Sequence, residues 1–254
     1  MALRGAGVPA YHIIKNILSL YQMNVKHFIK TLCPPILLSA CRRIGKMPII
    51  PKGSTTKQNL GMYWDPEFAE VLETWGEGNV WNEIQLLMVG RKGKVLDIAC
   101  GTGKTMEILS KFEYLDLFGC DISEMLIAKA AEKHDIPMEK LIACDATQLP
   151  YAENEFDYAF SIGSIEHFTE EGITKFLSEC HRTVSRISFH QHPVSRSGKC
   201  EGWITRAQSY HNNSTEWWKE QYDNIYESVC VLDSVWEDDI SLGKWFVCEK
   251  KSSN

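Results

Sequence analysis

Short, largely apolar runs recur along most of this chain, separated by stretches with helical spacing. Runs such as 141–144 and 156–162 are typical of parallel strands buried on both faces. Between the runs, apolar residues recur every three or four positions, as at Ile173, Phe176 and Leu177. Strands that alternate with helices predict an α/β fold with a doubly wound, mostly parallel sheet.

The pattern predicts seven strands in this sheet. Five are expected to be parallel, at 94–99, 115–121, 141–146, 156–162 and 185–190. Alternating segments at 228–236 and 242–249, joined by an acidic turn, predict a C-terminal antiparallel hairpin. Residues 191–226 are rich in Trp, Tyr, Asn, Ser and His, and we expect an irregular insertion on the substrate side of the sheet.

The first strand runs into a glycine turn, Gly101-Thr102-Gly103, with Asp97 just before it. A P-loop would need a glycine where Ile98 stands, and a dinucleotide fingerprint would need a small residue at Met106. Both patterns are therefore disfavoured. A carboxylate beside a Gly-x-Gly turn also suits a ligand with a cationic amino-acid end and no pyrophosphate, such as S-adenosylmethionine.

At residues 95–103, Val-Leu-Asp-Ile-Ala-Cys-Gly-Thr-Gly, the chain resembles the class I S-adenosylmethionine-dependent methyltransferases. The next two predicted strands also end in acids, Asp121 and Asp145, so three carboxylates should gather at the ligand edge of the sheet. Asp121 lies about 20 residues after the glycine turn, where an acid meets ribose hydroxyls. By the resemblance, Asp145 would accept from the adenine amino group. The residues assigned to the cofactor are Asp97, Ala99, Gly101, Gly103, Asp121, Ile122, Asp145, Ala146 and Ser161.

The resemblance implies a methyltransferase domain at 61–254 that converts S-adenosylmethionine to S-adenosylhomocysteine. Its acceptor would meet the segment after strand four, where Glu166 and His167 lie, and a histidine could deprotonate a hydroxyl acceptor. His167 is the first candidate for this base, followed by His190, with Glu166 serving or orienting it. The candidates for contact with the acceptor are Tyr63, Trp64, Trp81, Asn82, His192 and Trp203.

The acceptor itself is weakly constrained by sequence. The polar, aromatic residues of 191–226 suit a sugar or another small polar molecule, and the chain is loosely similar to methyltransferases of bacterial surface-glycan pathways. We therefore expect O-methylation of a small molecule or glycan. N-methylation of a small amine, a nicotinamide oxidoreductase, and a non-catalytic module that binds nucleosides or docks on membranes stay open as alternatives.

Charge is distributed unevenly along the 254 residues. The first 64 hold nine Lys or Arg and no acid, which leaves 18 basic and 33 acidic residues, a formal −15, for the rest. An acidic catalytic region disfavours a nucleic-acid acceptor. The nine cysteines form no C-x-x-C pair, so we expect reduced, packed thiols and no metal; a thiol-rich site for a metalloid is a remote alternative.

Residues 1–60 are predicted to be a basic amphipathic extension followed by a linker rich in Pro, Lys, Ser and Thr. Lysines interrupt the apolar part of 8–47, so a membrane-spanning helix is not expected. This segment could lie on an anionic membrane surface, pack on the domain, or act as an organelle transit peptide. The protein is expected in the cytoplasm, with peripheral membrane contact open, and its oligomeric state is not predicted.

Overall fold

A central sheet with helices on both faces organises residues 58–206 and 208–250, which the computed structural model describes. The strands are β1 (Gly93–Ile98), β2 (Leu115–Asp121), β3 (Leu141–Ala143), β4 (Phe156–Ile162), β5 (Val184–Ser195), β6 (Trp203–Thr205), β7 (Ser209–His211), β8 (Ser228–Glu237) and β9 (Ser241–Glu249). The extension predicted at 8–47 lies outside the described residues.

Seven of these strands pair in the order β3–β2–β1–β4–β5–β9–β8. Strands β1 to β5 run parallel, whereas β9 lies antiparallel between β5 and β8. The predicted seven-stranded, mostly parallel sheet with a C-terminal antiparallel hairpin is therefore confirmed. The order reverses between β1 and β4, and in open parallel sheets ligands bind outside the carboxyl ends of the strands at such a point.

In the part of the chain that the structure describes, six α-helices accompany the sheet: α1 (Pro66–Leu72), α2 (Val80–Met88), α3 (Lys104–Leu109), α4 (Glu124–His134), α5 (Glu170–Thr183) and α6 (Thr215–Asp223). Local sequence fixes where several of them begin. The side chains of Asp65, Ser123 and Thr169 each accept a hydrogen bond from a backbone N–H in the following turn. Short 3₁₀ turns precede α1, at Leu60–Trp64, and follow β4, at Ile165–His167.

Apolar side chains cover both faces of the sheet, which explains why its strands are apolar almost throughout. On one face, Phe156 and Phe246 pack with Phe176 of α5 and Trp218 of α6. On the other, the core is built by α2 and the strands that it covers, with Ile84, Met88, Val95, Phe160 and Trp245 among its members. Within the described ranges, no helix has the length and apolar character needed to cross a membrane.

The largest departure from the predicted elements lies between strand four and the final hairpin. Strand β5 continues to Ser195, because residues 187–195 pair along their whole length with β9. The segment 191–226, predicted to be irregular, instead contains the end of β5, the β6–β7 hairpin and α6. Strand β3 is shorter than predicted and stops at Ala143. Asp145 therefore lies in the loop that follows it.

Candidate functional site

The turn between β1 and α3 has an unusual backbone. Ala99, Gly101 and Gly103 adopt positive φ angles of 60°, 56° and 76°. Glycine adopts this region at little cost, so the sequence permits a tight turn from the strand into the helix. A Cβ on Gly101 would also lie 2.9 Å from Leu72 Cδ1, which shows that α1 approaches the turn closely.

Two acids meet beside this turn. Asp121, at the end of β2, accepts hydrogen bonds from Gly101 N at 2.9 Å and from Ser123 N at 3.0 Å. Asp97 is only 4% exposed, and its Oδ2 has no hydrogen-bond partner among the described residues. Burial, and then the negative charge of Asp121, raise the pKa of Asp97 well above its ordinary value. A cationic group placed here would restore the charged form of Asp97.

The third acid of the predicted row occupies a different environment. Asp145 is exposed, and its Oδ1 accepts hydrogen bonds from both Thr147 N and Thr147 Oγ1 at 2.8 Å. The neighbouring Ala146 is buried, and Ile122, after β2, is half-buried. The structure thus brings Asp97 and Asp121 together and holds Asp145 in a local turn after the next strand.

A glutamate and a histidine lie in the 3₁₀ turn after β4. Glu166 is 3% exposed, and its Oε1 is 3.6 Å from His167 Nε2. His167 Nδ1 lies 2.8 Å from the carbonyl oxygen of Ser209, in β7. A carbonyl only accepts, so Nδ1 carries a proton, and in the neutral ring Nε2 keeps a free lone pair.

Burial shifts both groups towards their neutral forms. It raises the pKa of Glu166 to about 8 and lowers the pKa of His167 to about 4, although the bond to Ser209 opposes the second shift. At pH 7 the imidazole is therefore neutral and able to accept a proton. The free Nε2 lone pair gives His167 the geometry of a general base, and ionised Glu166 beside it would strengthen that base by raising its pKa.

Tyr63 is affected by charges both from Asp121, beside the glycine turn, and from Glu166 of the Glu166–His167 pair. Burial raises the pKa of its phenol, and so do the negative charges of Glu166 and Asp121. Gln208, in the loop between β6 and β7, donates to Tyr63 Oη at 3.5 Å. Trp75 and Glu166 both lie near Gly163, which follows β4. A Cβ on Gly163 would lie 3.5 Å from the Trp75 ring and 3.8 Å from Glu166 Oε1.

The other predicted catalytic and substrate histidines lie in the core. His190 and His192 have no exposed surface. His190 Nδ1 lies 2.8 Å from Ser161 Oγ, and His192 stacks on Phe246 at 4.8 Å between ring centroids. Because protein side chains enclose His190, His192 and Ser161, we give them no part in the proposed site.

The predicted aromatic contacts are scattered. Trp81 and Asn82 line a groove of about 530 Å³ between α2 and α3. Trp64 is exposed and donates to Glu124 Oε2 at 3.3 Å, whereas Trp203 packs on His211 with centroids 4.7 Å apart. Of the predicted acceptor residues, Tyr63 is the one whose pKa both Glu166 and Asp121 raise within the described part of the chain.

Three residues of the site, Trp75, Gln208 and Ser209, are absent from the sequence-based assignment. Their positions depend on α1 and the β6–β7 hairpin reaching the end of β4, and no local pattern predicts that contact. The described residues also contain no cluster of three or more His, Cys, Asp or Glu arranged to hold a metal ion.

Comparison with known proteins agrees with this architecture. Residues 95–186 match a family described as a methyltransferase domain. The chain is 31% identical over 117 residues to an O-methyltransferase of Pyrenophora dematioidea, covering 44% of each protein. It is 30% identical over 112 residues to a probable tRNA methyltransferase 9B of Mus musculus, covering 43% of this chain and 24% of that protein. The chain thus spans less than half the length of these two relatives.

Solved structures show the same fold at low identity. A Burkholderia thailandensis 1,6-didemethyltoxoflavin-N1-methyltransferase with bound S-adenosylhomocysteine superposes with a TM-score of 0.60 at 16% identity, covering 82% of this chain and 96% of that one. A SAM-dependent methyltransferase from Aquifex aeolicus gives 0.54 at 18%, covering 73% and 99%. The described part of the chain has the fold of the class I S-adenosylmethionine-dependent methyltransferases.

Proposed function

We propose that this protein is an S-adenosylmethionine-dependent O-methyltransferase of a small polar molecule. The observation that carries the proposal is the buried Glu166–His167 pair after β4. It occurs together with Asp97 and Asp121, which meet beside the glycine turn. The two acids offer contacts for a cofactor, and the pair offers a base. The fold, the family match and the names of several relatives support the methyltransferase part of the proposal.

The acids at and near the ends of the first three strands fit the proposed cofactor. Asp97 offers an unpartnered, buried carboxyl oxygen to an ammonium group, and each Asp121 oxygen keeps a lone pair for a ribose hydroxyl. Asp145 and Ala146 would border the adenine. When bound, S-adenosylmethionine supplies an activated methyl group on a sulfonium and leaves as neutral S-adenosylhomocysteine.

The chain's own contribution is to align the acceptor and remove its proton. His167 Nε2 receives the proton that an acceptor hydroxyl loses, while the Ser209 carbonyl holds the ring by Nδ1. The resulting imidazolium faces Glu166 Oε1, which stabilises it when the carboxyl is ionised. The −15 formal charge beyond residue 64 argues against RNA.

Two measurements test the proposal. Calorimetry should show that S-adenosylhomocysteine binds the purified protein, whereas NAD(H) should not bind. A screen of hydroxyl-bearing and amine-bearing acceptors should then show S-adenosylhomocysteine release with a hydroxyl acceptor. Binding without release with any acceptor would indicate a non-catalytic module, and release with acceptors whose only nucleophile is an amine would indicate N-methylation. Release with RNA and with no small molecule would overturn the assignment of the acceptor.

A further inference from the structure

Glu166 combines deep burial with an open hydrogen-bonding position. Its Oε1 faces His167 Nε2 at 3.6 Å, but its Oε2 is buried and has no partner among the described residues. Leaving a buried carboxyl oxygen unpaired is costly, and native proteins usually satisfy such atoms. The side chain therefore has one oxygen for the histidine and one for another group.

The described groups around Glu166 provide little positive charge. The two charged side chains that raise the pKa of the neighbouring Tyr63 are Glu166 itself and Asp121, both acids. The positive charge of Arg206 lowers the pKa of Tyr210, in β7, against the effect of burial, which raises it. That charge is already paired, because the guanidinium donates to Asp239 Oδ2 at 3.0 Å and lies 3.6 Å from Asp238 Oδ2. The surroundings of Glu166 thus favour a cation over an anion.

Aromatic residues occur near the same carboxyl group. Besides burial, the charge of Glu166 raises the pKa of both Tyr63 and Tyr210. A Cβ on Gly163 would lie 3.5 Å from the Trp75 ring and 3.8 Å from Glu166 Oε1. Faces of aromatic rings attract ammonium groups, and a carboxylate provides the strong hydrogen bond. A carboxylate with aromatic rings near it is suited to recognising an amine.

We propose that the acceptor is a small amino alcohol or amino sugar, whose protonated amine binds Glu166 Oε2 while its hydroxyl faces His167. The inference rests on the proposed function and adds the class of substrate. The bound ammonium keeps Glu166 ionised, so that Oε1 can stabilise the imidazolium once His167 has taken the hydroxyl proton. Glu166 is thereby a specificity-determining residue as well as the partner of the base.

The test uses matched pairs of acceptors that differ in one amine, such as glucosamine with glucose and ethanolamine with ethylene glycol. S-adenosylhomocysteine release is measured for each, with phosphorylated and carboxylated analogues as an anionic set. We expect turnover in the amine-bearing members. In Glu166→Gln their advantage in kcat/KM over the neutral partners should fall at least about tenfold, the loss of one charge-assisted contact. Glu170→Gln, which changes an exposed acid at the start of α5, is the matched control and should keep the preference.

Binding of the cofactor separates this inference from the proposed function. Glu166→Gln should bind S-adenosylhomocysteine as the parent protein does, which also shows that it folds. Turnover confined to neutral or anionic acceptors, a panel without an amine hit, or an unchanged amine preference in Glu166→Gln would each overturn the inference and leave the methyltransferase assignment standing. A variant that loses affinity for S-adenosylmethionine but not for S-adenosylhomocysteine would show that Glu166 faces the sulfonium instead. Failure of the parent protein to bind S-adenosylhomocysteine would remove both proposals.

Discussion

At the scale of single residues, the proposed chemistry depends on His167. We expect His167→Gln to lower kcat by about 10²–10⁴-fold with a hydroxyl acceptor, because the hydroxyl would lose its base. Affinity for S-adenosylhomocysteine should be unchanged. His181→Gln, at the far end of α5 with its ring on Tyr226, is the matched control. Single-turnover rates that do not differ between His167→Gln and the parent protein would contradict general base catalysis by this residue.

Asp97 should weaken the fold while serving the proposed ligand. Its carboxyl is buried beside Asp121 with one oxygen unpaired, so Asp97→Asn should stabilise the ligand-free protein, as seen in a raised Tm. The same change should weaken S-adenosylhomocysteine binding about tenfold or more, because the ligand ammonium loses a charged partner. Asp116→Asn, at an exposed carboxylate 2.6 Å from Lys140 Nζ, should leave the affinity unchanged. Equal binding by Asp97→Asn would contradict the proposed contact with the ammonium group.

Glu166 should make stability depend on pH in a defined direction. Its pKa is about 8 in the folded protein, against an ordinary value of 4.5, so the folded state binds more protons between these values. Stability should therefore fall as pH rises from about 4.5 to 8 and stay low above that range. The glutamine of Glu166→Gln cannot ionise, so at pH 9 this variant should have a higher Tm than the parent protein. The corresponding difference in the free energy of unfolding is a few kcal/mol. Parallel Tm curves for the two proteins across pH 5–9 would show that the carboxyl is not buried in its neutral form.

At the scale of elements, the contact between α3 and α4 depends on Gly103. A Cβ there would lie 2.7 Å from Ile136 Cδ1 and 2.9 Å from Ala130 Cβ. Gly198 has a similar positive φ, +70° against +76°, but nothing lies within 4 Å of its Cβ position. Both Ala variants carry the same backbone strain, so their difference isolates the steric term. We expect Gly103→Ala to lower the free energy of unfolding by about 1–3 kcal/mol more than Gly198→Ala. Equal losses in urea unfolding would show that α4 moves away freely.

Elements with a strong local pattern were predictable, and long-range contacts were not. Strand β4 matches its predicted span, because its apolar run is a local pattern, and the cap that Ser123 provides for α4 is equally local. Strand β5 extends beyond its apolar run since β9 supplies hydrogen bonds along its length. The candidate site likewise combines residues that local patterns predict with residues that long-range contacts bring in. Asp97 and Asp121 come from strand-end motifs, whereas Trp75 and Ser209 reach Glu166 and His167 through separate elements.

At the scale of the whole molecule, the charge division in the sequence leads to a proposal about location. Residues 1–64 carry nine basic residues and no acid, while the following region is strongly acidic. We propose that segment 8–47 binds anionic membrane surfaces, since each Lys or Arg near such a surface contributes about 1 kcal/mol. The protein should co-sediment with vesicles that contain phosphatidylserine, less so as salt rises. A variant lacking residues 1–50 should remain in the supernatant, and equal sedimentation of the two proteins would contradict the proposal.

The bond from His167 to the Ser209 carbonyl has a consequence for divergence within this fold. The carbonyl oxygen that holds a proton on Nδ1 of His167 belongs to the main chain of the β6–β7 hairpin, so side-chain substitutions at Ser209 leave this acceptor in place. Under the proposed function, a change in the length of that hairpin would abolish deprotonation of the acceptor even where Glu166 and His167 are both retained. Two proteins that share this Glu-His pair would then differ in reactivity. Hairpin length, rather than motif identity, is the character to follow when homologous sequences are sorted by chemistry.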